Sequence, residues 1–331
     1  EDLERLLRHE PVLARPTGRL ERSWRWARRN PATAASLTIT ALALLGFIGS
    51  GVWFTRQLHN ELKATERAHK QATMARNDLR SRLIRITADG IDSDLRQLAG
   101  VPRVLADALE QRSDWSEAQL DAWLRAELAR EPHIFGMAIA FEPHAFRADI
   151  ADYALYVYRS PTGVASKQLL PPDYTPIYRE WPWYRDALKG SSWSEPYVDD
   201  GGGDIPMVTF STPFQRNGKP AGVVTADLSL EYFSALERAM RTSKLGGSAY
   251  AYVITAQGTV LRHPKPKRCF PELGSHVAPP SEATLARIWT RILSGETGVV
   301  HGYDPTTGTR GELLFAPVQS TGWSCVGVVP D

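Results

Sequence analysis

The stretch PMVTFSTPFQRNGKPAGVVTADLSL, residues 206–230, decides the fold. Two runs rich in β-branched and aromatic residues, 206–214 and 221–230, flank the turn-forming sequence RNGKP. This pattern predicts two antiparallel strands joined by a tight turn. Similar strand signals precede and follow the hairpin at FGMAIAFEP (135–143), YALYVYR (153–159), AYAYVITAQGTVLRH (249–263), ELLFAPV (312–318) and SCVGVVP (324–330).

Helical patterns surround these strands. Residues 56 to about 98 contain no proline and are rich in Leu, Ala, Arg, Lys and Glu, which predicts one long helix that Gly100 and Pro102 interrupt. Further helices are predicted at VLADALEQR (104–112), DWSEAQLDAWLRAELARE (114–131, with Ser116 as N-cap), about 231–242 and EATLARIWTRILSG (282–295). Hairpins with helices gathered at their ends indicate an α+β fold of two stacked modules with antiparallel sheets.

An uncharged run of 26 residues extends from Asn30 to Thr55. As a helix it would be about 39 Å long, which is enough to cross a hydrocarbon core of roughly 30 Å. Six arginines lie between positions 15 and 29, against four basic residues between positions 56 and 70. This excess places the N-terminus in the cytoplasm and residues 56–331 outside. Trp24 and Trp26, among the arginines, predict contact with anionic lipid.

Composition excludes several classes of protein. The 331 residues carry a formal net charge of +2, so no basic surplus indicates nucleic-acid binding. Two cysteines, Cys269 and Cys325, exclude a disulfide-rich scaffold, and whether they pair with each other stays open. Neither a nucleophile–base constellation nor a kinase motif is present, so we expect no enzyme activity in this chain, with an anchored hydrolase as the weaker alternative.

The chain order resembles that of the double Cache (dCache) sensor, an extracytoplasmic domain of bacterial transmembrane receptors. The resemblance rests on PWYRDALKGSSWSEPYVDDGGGDIPMVTFSTPFQRNGKPAGVVTADLSLEYF (182–233), AYVITAQGTVLRHP (251–264) and TGWSCVGVVP (321–330). It implies a long stalk helix and two PAS-like modules, the distal one holding a ligand pocket. The implied divisions are 1–29 (cytoplasmic), 30–55 (transmembrane helix), 56–99 (stalk), 100–243 (distal module) and 244–331 (proximal module).

Residues 1–32 resemble the juxtamembrane linker of bacterial membrane-anchored Ser/Thr protein kinases, through EPVLARPTGRLERSWRWARRNPA (10–32). The chain begins with Glu1, so we expect a cytoplasmic output domain, such as a kinase, outside this sequence. A polar helix as long as the stalk needs a partner, which predicts a homodimer through that helix.

Aromatic and acidic residues concentrate in the distal module. Aromatic faces attract cations, and carboxylates supply formal charge, so a box of both predicts a ligand with an ammonium group. Asp227 interrupts an otherwise apolar strand, where an unpaired charge would be costly. The candidate ligand-binding residues are Arg179, Trp181, Trp183, Tyr184, Tyr197, Asp199 and Asp227.

Amino-acid-binding dCache domains carry an Arg-x-Trp-Tyr element and two later aspartates, which hold the ligand's carboxylate and amine. The resemblance matches Trp183, Tyr184, Asp199 and Asp227 to the last four of these positions, but Trp181 occupies the arginine position. A small amine is therefore expected in place of an ordinary amino acid. Two alternatives stay open: a small carboxylate bound through Arg179, and an interaction module without a small-molecule ligand.

No cofactor or metal is predicted. Asp199, Asp200 and Asp204 surround three glycines, but their spacing favours a hairpin turn over a calcium loop. The histidines are scattered without paired ligand spacing, and His263 is expected to be structural.

Overall fold

The computed structural model describes residues 18–234, 248–263 and 283–331. Residues 1–74 and 75–331 form two compact units. The predicted helix at 231–242, the boundary at 243/244 and Cys269 lie wholly or mostly outside the described residues.

The first unit contains helix α1 (Arg19–Arg29) and the beginning of helix α2 (Pro31–Gln111). The apolar part of α2 has an 18-residue window with a mean hydropathy of 1.8, and none of it is buried. Its large apolar side chains, such as Leu45 and Phe47, are exposed. By length and composition, α2 can cross a membrane, as the uncharged run predicts.

Helix α2 does not end near residue 99. It continues through Gly100 and Pro102 to Gln111, so the predicted interruption is wrong. Proline removes one backbone hydrogen bond and crowds the preceding turn. Packing outweighs that cost, because a buried stripe runs without a break past the proline and consists of Leu95, Leu98, Pro102, Leu105 and Leu109.

Helix α3 (Glu117–Arg130) begins at Ser116, as predicted. The Ser116 hydroxyl accepts a hydrogen bond from the Gln119 amide, and the Gln119 side chain accepts one from the Ser116 amide. Leu120, Leu124 and Leu128 lie on its buried face.

The first sheet has seven antiparallel strands, in the order β3-β2-β1-β7-β6-β4, with β5 also paired to β6. Their bounds are β1 (Gly136–Phe141), β2 (Ala154–Ser160), β3 (Gly163–Gln168), β4 (Ser192–Trp193), β5 (Tyr197–Val198), β6 (Pro206–Arg216) and β7 (Lys219–Ser229). Strands β6 and β7 form the predicted hairpin. Short helical turns at Tyr178–Glu180, Pro182–Arg185 (α4) and Ala187–Lys189 lie between β3 and β4, and another at Leu230–Phe233 follows β7.

Both faces of this sheet are covered. Side chains alternate along a strand, so one face of β7 carries Val224, Ala226 and Leu228, which pack in the same core as α2 and α3. The opposite face carries Thr225 and Asp227 and lies under the segment between β3 and β6.

The second sheet has five antiparallel strands, in the order β10-β11-β12-β8-β9. It consists of β8 (Tyr250–Ile254), β9 (Val260–Arg262), β10 (Gly298–Tyr303), β11 (Arg310–Val318) and β12 (Trp323–Pro330), with helix α5 (Ala283–Leu293) against it. Two antiparallel sheets with a long leading helix confirm the predicted α+β class.

The second sheet contacts both α2 and the first sheet. The buried Asp92 of α2 accepts a hydrogen bond from the Ser320 amide at 2.6 Å, in the turn before β12. Trp323, the first residue of β12, lies 5.9 Å from Trp193 of β4 between ring centroids. Thr255, after β8, donates to Glu195 at 2.9 Å.

We predict that Asp92→Ala destabilises the fold by about 1–3 kcal/mol, because it removes a charge-assisted hydrogen bond to a backbone amide. Asp89→Ala is the matched control on an exposed position of the same helix and should cost no more than about 0.5 kcal/mol. Urea unfolding of the full chain in nanodiscs, followed by tryptophan fluorescence, measures both. Equal stability of the two variants would show that the contact does not hold α2.

Candidate ligand-binding site

Asp227 lies at the centre of the first sheet. On β7 it pairs with Gly136 of β1 on one side and Thr209 of β6 on the other. The Thr209 hydroxyl donates to Asp227 Oδ1 at 2.8 Å, and Tyr197 lies 2.7 Å from the same hydroxyl. Since Thr209 uses its proton for Asp227, the Tyr197 hydroxyl donates to Thr209. Asp227 is only 4% exposed, so this relay is part of what makes its burial tolerable.

A second buried carboxylate, Asp199, is held by the glycine loop that follows β5. The Gly203 amide donates to Asp199 Oδ2 at 2.7 Å, and the Tyr174 hydroxyl donates to Oδ1 at 2.8 Å. Trp183 Nε1 donates to that tyrosine oxygen at 3.2 Å. Glycine is required at position 202, because a Cβ there would overlap the Asp199 carboxylate.

The two carboxylates line one inner cavity of about 10 Å³, which is roughly the room that one water-sized group needs. Its walls are Ala138, Tyr156, Leu169, Tyr174, Trp183, Tyr197, Asp199, Thr225 and Asp227. The Tyr156 hydroxyl is buried close to Asp227, where it opposes the rise in the pKa of that carboxyl, although no group in the described part of the chain meets it in ordinary hydrogen-bond geometry. Gly136 makes room for it, since a Cβ there would lie against the Tyr156 ring. The cavity therefore presents a tyrosine hydroxyl next to two acids.

Burial and nearby negative charges raise the pKa values of the two acids. Burial, reinforced by the nearby Asp199, raises the pKa of Asp227 to about 7. Burial also raises the pKa of Asp199, although the Gly203 amide and the Tyr174 hydroxyl oppose the change. Burial raises the pKa values of Tyr156, Tyr174 and Tyr197 as well, so these hydroxyls stay protonated and can donate.

No side chain that lines the inner cavity is basic. The cation whose charge favours the ionised form of Asp199 is Lys167, whose ammonium donates to the Gly201 carbonyl at 2.7 Å and lies 4.9 Å from the Tyr158 ring centroid. Lys167 is thus held outside the cavity by other contacts.

An outer cleft of about 400 Å³ adjoins the inner cavity. Trp183 and Tyr197 line both spaces and so form the partition between them. The rest of the cleft is lined by Trp181, Pro182, Asp186, Ala187, Ser192, Trp193, Ser194, Glu195, Pro196, Ser211 and Gln257. Trp181 stacks on Tyr174 at 5.3 Å, which places an indole where the related pattern has an arginine.

The structure brings five of the seven predicted residues together. Trp183, Tyr197, Asp199 and Asp227 line the inner cavity, and Trp181 lines the outer cleft. The other two predicted residues, Arg179 and Tyr184, lie elsewhere. Arg179 pairs with Asp152 at 2.7 Å. Tyr184 donates to Glu142 at 2.6 Å, and neither residue lines either space.

Sequence reasoning missed Tyr156, Tyr174, Thr209 and Thr225. The alternation in YALYVYR assigns Tyr156 and Tyr158 to one face, but only the strand register reveals that this face meets Asp227. Tyr174 lies in a proline-rich loop and gives no sequence signal of its position.

The remaining predictions concern metals and cysteines. Among the described residues, no three acidic, histidine or cysteine side chains are grouped to hold a metal ion. Asp199 instead turns inward, and Asp204 accepts a hydrogen bond from the Gly201 amide at 2.8 Å, so this segment is a turn. Cys325 is buried and has no disulfide partner among the described residues. His263 is buried beside Tyr250 and Tyr252.

Comparison with known proteins finds similar sequences among chemotaxis receptors. Residues 120–235 match the family model for the first PDC sensor domain of methyl-accepting chemotaxis protein-like receptors. The chain is 29% identical over 145 residues to the chemotaxis protein PctB of Pseudomonas aeruginosa, and 29% identical over 138 residues to PscA of Pseudomonas syringae pv. tomato. These matches cover 43% and 42% of this chain but only 22% and 21% of the relatives, about a fifth of their length.

Solved structures share the fold. The extracellular domain of a protein described as a histidine kinase, mmHK1S-Z3, matches with a TM-score of 0.64 at 23% identity, over 76% of this chain and 93% of that one. The periplasmic sensory domain of the Campylobacter jejuni chemoreceptor Tlp1 matches with a TM-score of 0.60 at 13% identity, over 78% and 96%. Residues 120–235 therefore match the PDC sensor domain of methyl-accepting chemotaxis protein-like receptors, and the chain has the double Cache fold of extracytoplasmic sensors.

Proposed function

We propose that the inner cavity binds the ammonium group of a small molecule. One observation carries this proposal: two buried carboxylates, Asp199 and Asp227, line a cavity whose walls include no basic side chain. Two like charges in one desolvated space repel each other, and a bound cation relieves that repulsion. The aromatic walls add attraction, because the faces of Tyr156, Trp183 and Tyr197 are electron-rich.

The same geometry argues against recognition of a carboxylate. An anion would lie beside two acids and would need a strong cationic donor, such as a guanidinium group. Arg179, the candidate for that role, is committed to Asp152, and Trp181 offers only an indole N–H that already donates to the Pro176 carbonyl at 2.9 Å. We therefore favour an amine without an adjacent carboxylate as the ligand.

The topology follows from the helix that can cross a membrane. We propose that residues 30–55 span the inner membrane, with residues 1–29 in the cytoplasm and residues 56–331 in the periplasm. Trp24 and Trp26 are exposed on α1 beside its arginines, which supports contact with anionic lipid. Leu58, Leu62 and Leu79 are exposed along α2, which supports self-association of two such helices. A cytoplasmic output domain, such as a Ser/Thr kinase, would receive the signal through α2.

We predict that Asp227→Asn weakens the binding of small amines by at least about thirtyfold, because losing one partner of a buried ion pair costs about 2–5 kcal/mol. The full chain in nanodiscs would be screened by thermal shift against amines, amino acids and organic acids, and hits measured by calorimetry. Asp200→Asn, at an exposed aspartate next to Asp199, is the matched control and should bind like the parent chain. Binding of organic acids alone, or amine affinity unchanged in Asp227→Asn, would contradict the proposal.

We predict that the free receptor loses stability as pH rises from 5 to 8. A pKa of about 7 for Asp227 lies above the ordinary aspartate value of 3.8, so the folded state favours the protonated form. That contribution is complete below pH 4 and disappears as pH rises through 7. Unfolding free energies of the parent chain and Asp227→Asn should differ by about 1–3 kcal/mol more at pH 8 than at pH 5, in favour of the variant. A difference independent of pH would mean that Asp227 is ionised throughout.

A further inference from the structure

We propose that the outer cleft is a second subsite for the same ligand, in which Glu195 binds a second cationic group, so that the receptor recognises an elongated diammonium molecule. This inference rests on the proposed function, since it assigns the first ammonium to the inner cavity. It adds a residue that the first-sheet site does not use, and it narrows the ligand class.

One backbone segment, residues 194–199, contributes side chains to both subsites. Residues 194–199 lie beside β6: the Ser194 amide donates to the Thr209 carbonyl at 2.8 Å, and Tyr197 pairs with Met207. Glu195 lines the outer cleft, Asp199 lines the inner cavity, and Tyr197 between them lines both spaces. At ~3.3 Å per residue, the two acids lie about 13 Å apart along the backbone, with Tyr197 between them.

The outer cleft also contains, within the described residues, a buried hydroxyl without a hydrogen-bond partner and an acid without an ion-pair partner. The Ser211 side chain is 2% exposed and lines the cleft, and its hydroxyl has no hydrogen-bond partner among the residues that the structure describes. A buried hydroxyl without a partner costs free energy, which a ligand donor or acceptor would recover. Within the described ranges, Glu195 has no ion-pair partner, whereas the other acid of the cleft, Asp186, is paired with Lys189 at 2.8 Å.

The walls suit a chain of methylene groups that ends in a cation. Trp181 and Trp193 offer indole faces to the cleft, and such faces pack against apolar chains and attract cations. Gln257, in the turn between β8 and β9, also lines the cleft, so the second subsite includes a residue near the second sheet. Glu195 itself accepts a hydrogen bond from Thr255. A cation bound by Glu195 would therefore lie beside this contact between the two sheets.

Calorimetry of the full chain in nanodiscs tests this inference with cadaverine, which has two ammonium groups, and n-pentylamine, which has one. Cadaverine should bind at least about tenfold more tightly than n-pentylamine, and Glu195→Gln should remove that advantage. Glu180→Gln, at an exposed glutamate outside both spaces, should keep it. Gln257→Lys, at an exposed turn position, adds a positive charge to the cleft and should weaken cadaverine more than n-pentylamine, which gives a second test if Glu195→Gln does not fold.

The outcomes separate this inference from the proposed function. If n-pentylamine binds and requires Asp227, while cadaverine binds no better and Glu195→Gln changes neither affinity, the second subsite is refuted and the ammonium site stands. If neither amine binds the parent chain, both proposals fail together.

Discussion

The confinement of two carboxylates in one water-poor cavity is the constraint around which the first sheet is organised. Asp227 is on the central strand β7, where burial alone would make a charge costly. Thr209 and Tyr197 form a hydroxyl relay to one acid, while the Gly203 amide and the Tyr174 hydroxyl bind the other. These contacts satisfy part of the hydrogen-bonding capacity of both acids, and the cavity walls supply no basic side chain to pair with them.

The two faces of β7 have different surroundings. Its apolar face packs with α2 and α3 and supplies hydrophobic stabilisation, and its polar face lines the cavity. Because side chains alternate along the strand, a functional group enters at every second position without disturbing the core behind it. The sheet therefore holds the acids on a rigid support, while the short turns and strands between β3 and β6 supply the rest of the walls.

Much of the fold could be predicted from local pattern. The strands with dense β-branched and aromatic composition, such as β1, β6 and β7, lie where the sequence indicates, and Ser116 caps α3. Short β4 and β5 were not predicted, because two-residue strands depend on their partner β6 and not on their own composition. The continuation of α2 through Pro102 depends on buried packing on both sides of the proline, which no local rule contains.

The site was only partly predictable for a related reason. A lone acid in an apolar strand correctly drew attention to Asp227, whose position near Asp199 follows from the β6–β7 hairpin and the glycine loop. Arg179 and Tyr184 are close in sequence to Trp181 and Trp183, but the consecutive short helical turns from Tyr178 to Lys189 direct neighbouring side chains to different sides. Proximity along the chain therefore overestimates proximity in space wherever the backbone turns this tightly.

The turn before β12 contacts both the long helix α2 and the outer cleft. Ser320 binds Asp92 of α2, and Trp323, three residues later, contacts Trp193 at the mouth of the outer cleft. Gly322, with a φ of +71°, fixes the bend between them. The indole of Trp193 and the long helix are therefore joined through one short turn, which contacts both of them.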